Sequence, residues 1–220
     1  MKKLLVFLFL FASFGVNAGD DDYSDRVVIS TATLEFKTTE IKSAVKKAFD
    51  AYGWQTSSET DTSVTGMLPG RRGGFTSTVK VSFPNPDSLE IKYLTDHDRE
   101  NYKFYKRLLN IRAKTMVQLT DCKNPDMKKS NSAISADLAL RRNLMYAFYK
   151  YNWIITSVTK SKIIGALATR GRLEADISDN GTVRIRHWDE IEEEYTDPAR
   201  DGYVRKIESV LATQQRRCAK

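Results

Sequence analysis

Two segments of the chain, 99 residues apart, repeat apolar residues at the spacing of an amphipathic helix. In the first segment the apolar stripe occupies positions 41, 44, 45, 48, 49 and 52, and in the second it occupies positions 140, 144, 147, 148 and 151. Gly53 and Asn152 follow the two stripes. Glycine and asparagine are the residues that most readily end a helix in the left-handed conformation. The pattern therefore predicts one helix in each segment, ended at these two residues.

After each helix the pattern changes to short runs of alternating apolar and polar residues, which predicts antiparallel strands. The predicted strands cover residues 54–59, 63–68, 75–83 and 89–95 in the first half, and 153–159, 163–169, 172–178 and 182–188 in the second. Asn180-Gly181 is the strongest hairpin signal in the chain. Residues 27–36 also alternate and predict an additional edge strand, for which the second half has no counterpart.

A second helical pattern closes each half of the chain. In the first half it spans residues 99–119, and in the second half Asp197 is the predicted capping residue, with Pro198 in the first turn. Each half thus has the order helix, four strands, helix. We predict an α+β fold made of a tandem duplication, with an antiparallel four-stranded sheet and two helices on one face in each copy.

The duplication rests on residue types that coincide when the chain is shifted by 99 positions. The aligned pairs, without a gap, are Ile41/Leu140, Val45/Leu144, Ala48/Ala147, Phe49/Phe148, Tyr52/Tyr151, Trp54/Trp153, Gly66/Gly165 and Leu68/Leu167. Each copy also ends in a helical pattern followed by a cysteine. The resulting domain prediction is a leader at 1–18, a first module at 19–123, a linker at 124–135 and a second module at 136–220.

The first 18 residues have the pattern of a cleaved secretory leader. Two lysines precede an apolar run over residues 4–14, and Val16-Asn17-Ala18 supplies the small residues that signal peptidase recognises. The apolar run is shorter than the roughly 20 residues that cross a bilayer, although a retained anchor is the alternative. Gly19 rather than a cysteine follows, so no lipid anchor is expected. We predict a periplasmic or secreted protein, cleaved near Ala18, without a transmembrane segment in the mature chain.

The net charge of the chain argues against nucleic acid as a partner, and its two cysteines indicate a disulfide. Residues 19–124 hold 16 basic and 15 acidic groups, and residues 125–220 hold 17 and 13. This surplus is too small to indicate nucleic-acid binding. In an exported protein, the two cysteines Cys122 and Cys218 predict a disulfide, with two free buried thiols as the alternative. The bridge would close a loop of about 97 residues. The chain-entropy model assigns such a loop roughly 4–5 kcal/mol of stabilisation.

Two connections between predicted strands combine glycine with arginine. Arg71 and Arg72 lie within residues 69–74, and Arg170 and Arg172 flank Gly171. Glycine lets backbone amides approach a ligand, and a guanidinium offers parallel N–H donors to a carboxylate or phosphate. Two such loops in one molecule predict bivalent binding of an anionic envelope polymer or an envelope protein. The alternative is two solvated turns, in which glycine serves the backbone and arginine serves solubility.

Other chemistry-bearing residues give weaker signals. Acidic residues crowd positions 189–197, but their spacing matches no EF-hand loop and a solvated loop is the favoured interpretation. His97 and His187 are the only histidines, and the 99-residue shift does not superimpose them. No nucleophile or zinc-peptidase motif accompanies them. The sequence therefore predicts no metal, no cofactor and no catalytic centre, and it assigns Trp54 and Trp153 to the core.

The order of motifs resembles a family of small bacterial envelope proteins. The carrying residues are Tyr52-Gly53-Trp54 after the first helix, Gly66-Met67-Leu68 on a strand and a tyrosine-containing late helix. Many members look like lipoproteins of one module, so the resemblance implies two copies here, over residues 36–122 and 134–218. This chain differs in lacking a lipobox cysteine and in having Asn152 before Trp153. The family has no assigned activity, so the resemblance assigns no functional residue.

These observations rank three functions. The leading hypothesis is a non-catalytic exported binding module for an anionic envelope component or a partner protein. The second is a structural or assembly protein that docks onto an envelope complex. An enzyme of unknown class is third, because only a pocket that joins a histidine to carboxylates from elsewhere in the fold would support it.

Overall fold

A computed structural model describes residues 26–30, 36–70, 75–84, 88–95, 102–124, 135–167 and 171–218. The predicted leader, Arg71, Arg72, Arg170 and His97 lie outside these ranges. The helices are α1 (Thr38–Ala51), α2 (Tyr102–Thr120), α3 (Ala136–Lys150) and α4 (Gly202–Cys218). The strands are β1 (Arg26–Ser30), β2 (Gln55–Glu59), β3 (Ser63–Pro69), β4 (Phe75–Ser82), β5 (Ser88–Tyr93), β6 (Ile154–Val158), β7 (Lys162–Leu167), β8 (Gly171–Ile177), β9 (Val183–Asp189) and β10 (Glu194–Tyr195). The fold is α+β, as predicted.

The strands form two antiparallel sheets of five strands each, with the orders β1-β5-β4-β3-β2 and β10-β9-β8-β7-β6. The sequence predicted four strands in each copy. The fifth strand of the first sheet is β1, which the alternation over residues 27–36 indicated and which pairs with β5. The fifth strand of the second sheet, β10, was not predicted. It has only two residues and follows a run of acidic side chains, so it carries no detectable alternation.

All four helices belong to one layer that covers one face of the sheets. Helix α1 packs on β2 and β3, α2 on β1 and β5, α3 on β6 and β7, and α4 on β9. Each helix also packs against the next one along the chain, and the edge strands β1 and β6 lie beside each other. The sheet face beneath the helices is mainly apolar, and none of the described helices packs on the opposite face. One hydrophobic core consequently extends through both halves.

Helices α1 and α3 end in the same backbone arrangement. Gly53 and Asn152 have φ values of +72° and +62°, as the sequence predicted for the residues that end these helices. The amide of Trp54 donates to the carbonyl of Phe49 at 2.9 Å, and the amide of Trp153 donates to the carbonyl of Phe148 at 3.1 Å. This is the Schellman motif, in which an apolar residue after the cap packs on the last turn. Trp54 and Trp153 are buried core residues, as predicted.

A glycine on the neighbouring strand makes room for each of the two phenylalanines. A Cβ at Gly66 would lie 2.7 Å from the ring of Phe49, and a Cβ at Gly165 would lie 2.5 Å from the ring of Phe148. Both distances are shorter than the roughly 3.5–4.0 Å of carbon atoms in normal contact. These glycines are therefore packing positions, and each ring lies directly on strand backbone.

The disulfide between Cys122 and Cys218 is present, with a Cα–Cα distance of 5.7 Å. It joins the C-terminal ends of α2 and α4, the two helices that pack against α3. Beside it, the Sγ of Cys218 lies 3.4 Å from the side-chain oxygen of Asn143 in α3. Helix α3 is buried without interruption from residue 141 to residue 149. The cross-link thus connects both flanks of the most enclosed helix in the described chain.

One predicted helix start is wrong. Helix α4 begins at Gly202, and its capping residue is Asp201 instead of Asp197. The Oδ1 atom of Asp201 accepts hydrogen bonds from the amides of Tyr203 and Val204 at 2.6 and 2.9 Å. Asp197 caps a separate single turn, because its backbone carbonyl accepts from the amide of Asp201 at 2.9 Å. Within the described residues, no helix combines the length and the apolar character needed to cross a membrane.

Candidate functional site

The face of the second sheet that carries no helix holds a dense group of charged and aromatic side chains. In β8, Leu173, Ala175 and Ile177 point to the core, so the alternate residues point outwards. We define the outer patch as Lys162, Arg172, Glu174, Asp176, Arg184, Arg186, Trp188 and Tyr195. The strand register places Arg172 opposite Trp188, Glu174 opposite Arg186, and Asp176 opposite Arg184. Lys162 pairs with Asp176 from the other side, and Tyr195 pairs with Trp188.

Glu174 is the centre of the outer patch and is only 5% exposed. Its carboxylate accepts from Arg172 Nε at 3.0 Å, from Arg186 Nη2 at 3.2 Å and from Lys162 Nζ at 3.4 Å. Burial by itself raises the pKa of this carboxyl. Hydrogen bonding from Tyr195 and the charge of Lys162 outweigh that effect and hold the pKa of Glu174 below its usual value. The carboxylate therefore stays ionised and fixes three surrounding cations.

A second carboxylate extends the network along the sheet. Asp176 lies 2.9 Å from Arg186 Nη2 and 3.2 Å from Lys162 Nζ. The hydrogen bond to Asp176, followed by the charge of Glu174, raises the pKa of Lys162. Arg184, the neighbour of Asp176 on β9, is exposed. The outer patch thus combines four basic side chains with two carboxylates and keeps a net positive charge.

Aromatic rings fix the planes of the two central arginines. The guanidinium carbon of Arg172 lies 5.3 Å from the ring centroid of Trp188, and that of Arg186 lies 4.6 Å from the ring centroid of Tyr195. The two rings meet edge to face at 5.1 Å. These distances fall within the range of cation–π contacts, which limit the rotamer freedom of an arginine. Arg172 nevertheless keeps 44% of its side chain exposed and accessible to a ligand.

Of the four arginines predicted to bind, the structure describes only Arg172. Arg71, Arg72 and Arg170 lie outside the described residues, and whether the two basic loops act together stays a prediction. Arg172 is not a solvated turn residue, because it belongs to β8 and pairs with Glu174. The sequence prediction missed Glu174, Arg186, Trp188 and Tyr195 as members of a site. Two features of the sequence could have indicated the members on β8 and β9. They are the alternation over residues 182–188 and the Asn180-Gly181 hairpin, because together they fix the register of these two strands.

The corresponding face of the first sheet is different. The residues that occupy the equivalent strand positions are Thr78 for Arg172, Lys80 for Glu174, Lys92 for Arg186 and Leu94 for Trp188. Lys80 and Lys92 lie opposite each other on neighbouring strands, and no carboxylate occupies the central position. Among the strand positions that the structure describes, the ordered cluster of arginines and aromatic rings therefore occurs in the second sheet and not in the first.

His187 points into the core from the same strand and forms a buried pair with Asp201. Its Nδ1 lies 2.6 Å from Asp201 Oδ2, which also accepts a hydrogen bond from the hydroxyl of Thr196 at 2.8 Å. Burial raises the pKa of Asp201, but the amide of Val204 and the imidazole of His187 more than offset this, so the pKa is lowered. Because Asp201 also caps α4, the pair holds this helix against β9. The arrangement accounts for His187 as a structural residue.

A cleft of about 770 Å³ opens at one end of the second half. The start of α3, the β6–β7 and β8–β9 turns and the end of α4 line it, through residues that include Asp137, Lys160, Asp179 and Gln215. Its lining mixes both signs of charge and contains no aromatic ring. Within the described residues, no three histidine, cysteine or carboxylate groups could hold a metal ion.

Comparison with known proteins adds no assignment. No protein-family model matches the chain, and no curated protein is similar to it.

Proposed function

We propose that the protein is a non-catalytic, exported binding module, periplasmic or secreted, that binds an anionic component of the cell envelope through the outer patch. Support for export comes from the leader-like residues 1–18 and from the disulfide, which is typical of oxidising compartments. Support for binding comes from the outer patch, because two of its arginines, Arg172 and Arg186, are held in place before any ligand arrives.

The observation that carries the proposal is the fixed geometry of Arg172 and Arg186. Each guanidinium lies over an aromatic ring and pairs with Glu174. An unrestrained arginine loses roughly 2 kcal/mol of rotamer freedom on immobilisation, and a pre-organised one loses less. Arg184 adds an exposed cation on the same face. A phosphorylated or carboxylated polymer laid along β8 and β9 would meet these three side chains in succession.

The test is binding to lipopolysaccharide and to the same lipopolysaccharide after enzymatic dephosphorylation. The variant is the double substitution Arg172→Gln with Arg184→Gln, which keeps Arg186 and the Glu174 centre. The matched control is Lys80→Gln with Lys92→Gln, which removes the same charge from the outer face of the first sheet. At 0.15 M salt, we expect the outer-patch variant to bind lipopolysaccharide at least about tenfold more weakly than the unaltered protein does. The reason is that it loses two charge-assisted contacts. Equal binding by the two variants, or equal binding to both polymers, would contradict the proposal.

We also propose that the two halves arose by tandem duplication. The Schellman ends of α1 and α3 and the glycine–phenylalanine contacts support it. So do the strand irregularities between Thr56 and Ser58 and between Ile155 and Ser157, which are also separated by 99 positions. Tyr93 packs edge-on against Phe104 at 5.6 Å, and His187 packs in the same way against Tyr203 at 5.4 Å.

An assembly protein that docks onto an envelope complex is the second candidate. Strand β2 favours it, because β2 is the last described strand of the first sheet and all five of its residues are exposed. Open strand edges pair with extended segments of other chains. Cross-linking through a photoreactive residue at Ser57 tests this function: a defined protein adduct in native envelopes would support docking, and its absence would favour polymer binding.

A further inference from the structure

Arg112 is a buried cation for which the described residues supply no counter-ion. It projects from α2, is 5% exposed, and its guanidinium carbon lies 6.0 Å from the ring centroid of Tyr149 on α3. Its Nε atom is buried and has no hydrogen-bond partner, and within the described part of the chain no carboxylate pairs with it. Burial lowers the pKa of this guanidinium, but arginine keeps its proton at neutral pH. A charge therefore lies in the core without an opposite charge beside it.

Two further buried polar groups near Arg112 have no hydrogen-bond partner among the described residues. The hydroxyl of Tyr149 is buried and has no partner, and burial raises its pKa to about 12, so it remains a donor. The hydroxyl of Thr115, three residues further along α2, is also buried without a partner. Buried polar groups are paired in the great majority of folded proteins, and an unpaired cation is the most costly exception. Arg112 and Tyr149 meet between α2 and α3, so two unpartnered polar groups at one helix contact call for an explanation.

A second buried arginine, on α3, differs in having a carboxylate partner. The Nη2 atom of Arg141 lies 2.7 Å from Asp137, although its Nε, like that of Arg112, is buried without a hydrogen-bond partner. Arg112 instead faces two tyrosines, since Tyr105 is the other group whose charge affects it. The contact between α2 and α3 thus has the composition of an anion site, with a guanidinium and a phenol as donors.

We propose that the contact between α2 and α3 binds a small anion through the Arg112 guanidinium and the Tyr149 hydroxyl. The ligand class is a single carboxylate or phosphate group, because Arg112 is too enclosed to meet a large anion along its whole length. The site is separate from the outer patch and does not depend on the proposed function. Because α2 closes the first half and α3 opens the second, the anion would strengthen the contact between the halves.

Thermal unfolding of the oxidised protein tests the site. Sodium acetate and sodium phosphate are titrated against sodium chloride at constant ionic strength. We expect the Tm to rise by about 5–10 °C at a hundredfold excess of the preferred anion over its Kd, with saturation. The two anions distinguish a carboxylate from a phosphate ligand. A Tm that follows ionic strength alone would overturn the proposal and leave a buried water as the partner of Arg112.

Variants separate ligand binding from a structural role of Arg112. Arg112→Met should abolish the anion-dependent rise while leaving the anion-free Tm unchanged or about 2–4 °C higher, because it removes an unpaired buried charge. Tyr149→Phe should weaken anion affinity several-fold, and Arg172→Gln in the outer patch should leave it unchanged. An undiminished rise in Arg112→Met would refute the assignment. If that variant fails to fold, the Nε–Hε NMR signal of Arg112 is followed in the unaltered protein during the anion titration. A saturable shift of this signal supports the site, and a signal that does not move rejects it.

Discussion

The substitution Gly165→Ala probes the close packing of strand β7 against the ring of Phe148. An added Cβ would lie 2.5 and 2.8 Å from two ring carbons of Phe148 and 3.4 Å from the Cβ of Trp153. Phe148 and Trp153 are at most 1% exposed, so neither can move into solvent. Overpacking of this kind costs about 1–3 kcal/mol. Replacing a strand glycine by alanine returns roughly 0.5–1 kcal/mol through the unfolded chain. The expected net loss is about 0–2.5 kcal/mol, with a central value of about 1 kcal/mol.

Urea unfolding followed by circular dichroism measures this loss, with an unchanged m-value as evidence that the denatured state is unaffected. The matched control is Gly202→Ala at the start of α4, where a Cβ would meet nothing within 4 Å. In a Phe148→Leu background, Gly165→Ala should lower the free energy of unfolding by at least about 0.5 kcal/mol less than it does in the unaltered protein. The reason is that the smaller leucine side chain leaves room for the added Cβ. An equal cost in both backgrounds would refute the packing argument. Gly66→Ala, paired with Phe49→Leu, should behave in the same way.

Three further predictions concern the cross-link and the buried carboxylates. Replacing Cys122 and Cys218 by serine should lower the free energy of unfolding by about 4–5 kcal/mol, since the bridge closes a sequence separation of 96 residues; a loss below about 1 kcal/mol in urea unfolding would contradict this. Asp201→Asn should cost about 1–3 kcal/mol, because the cap of α4 and the partner of His187 are both weakened. The folded pKa of Asp201 is lowered, so its contribution is present above the unfolded pKa of about 3.9 and is lost as the pH falls through the folded value. Between pH 2 and 7, the free energy of unfolding should therefore change less with pH in Asp201→Asn than in the unaltered protein. An equal pH dependence in the two proteins would exclude this linkage. Glu174→Gln should destabilise the protein by about 1–2 kcal/mol and broaden the NMR signals of the outer-patch arginine side chains, because their shared acceptor weakens; unaltered signals would show that the rings alone hold them.

The sequence predicted the elements well wherever the chemistry was local. In these elements, the type of a residue determines its role. They include the helical stripes, the ends of α1 and α3, the Asn180-Gly181 turn and the disulfide. Asp201 shows where local reasoning fails. Asp197 precedes a proline and has the local signature of a helix cap, but Asp201 also binds His187 from a distant strand. That tertiary contact determines where the helix begins.

The outer patch was only partly predictable for a similar reason. Arg172 was identified from its loop, yet its partners lie on β8, β9 and β10 and depend on strand register. Arg186 and Trp188 alternate clearly with core residues, so their exposed face could be predicted. Tyr195 could not, because β10 has two residues and follows an acidic turn. Arg112 was hidden as well, since only the packing of α3 against α2 encloses it.

The enclosure of α3 limits how the protein can be divided. A fragment that begins at Ser135 would turn the flank of α3 that now meets α2 into water-exposed surface, and it would leave Cys218 with an unpaired thiol able to link two molecules. Its edge strand β6 would also lose the neighbour that β1 provides. Crystallisation, display or domain-swapping work should accordingly keep the two halves together in one chain.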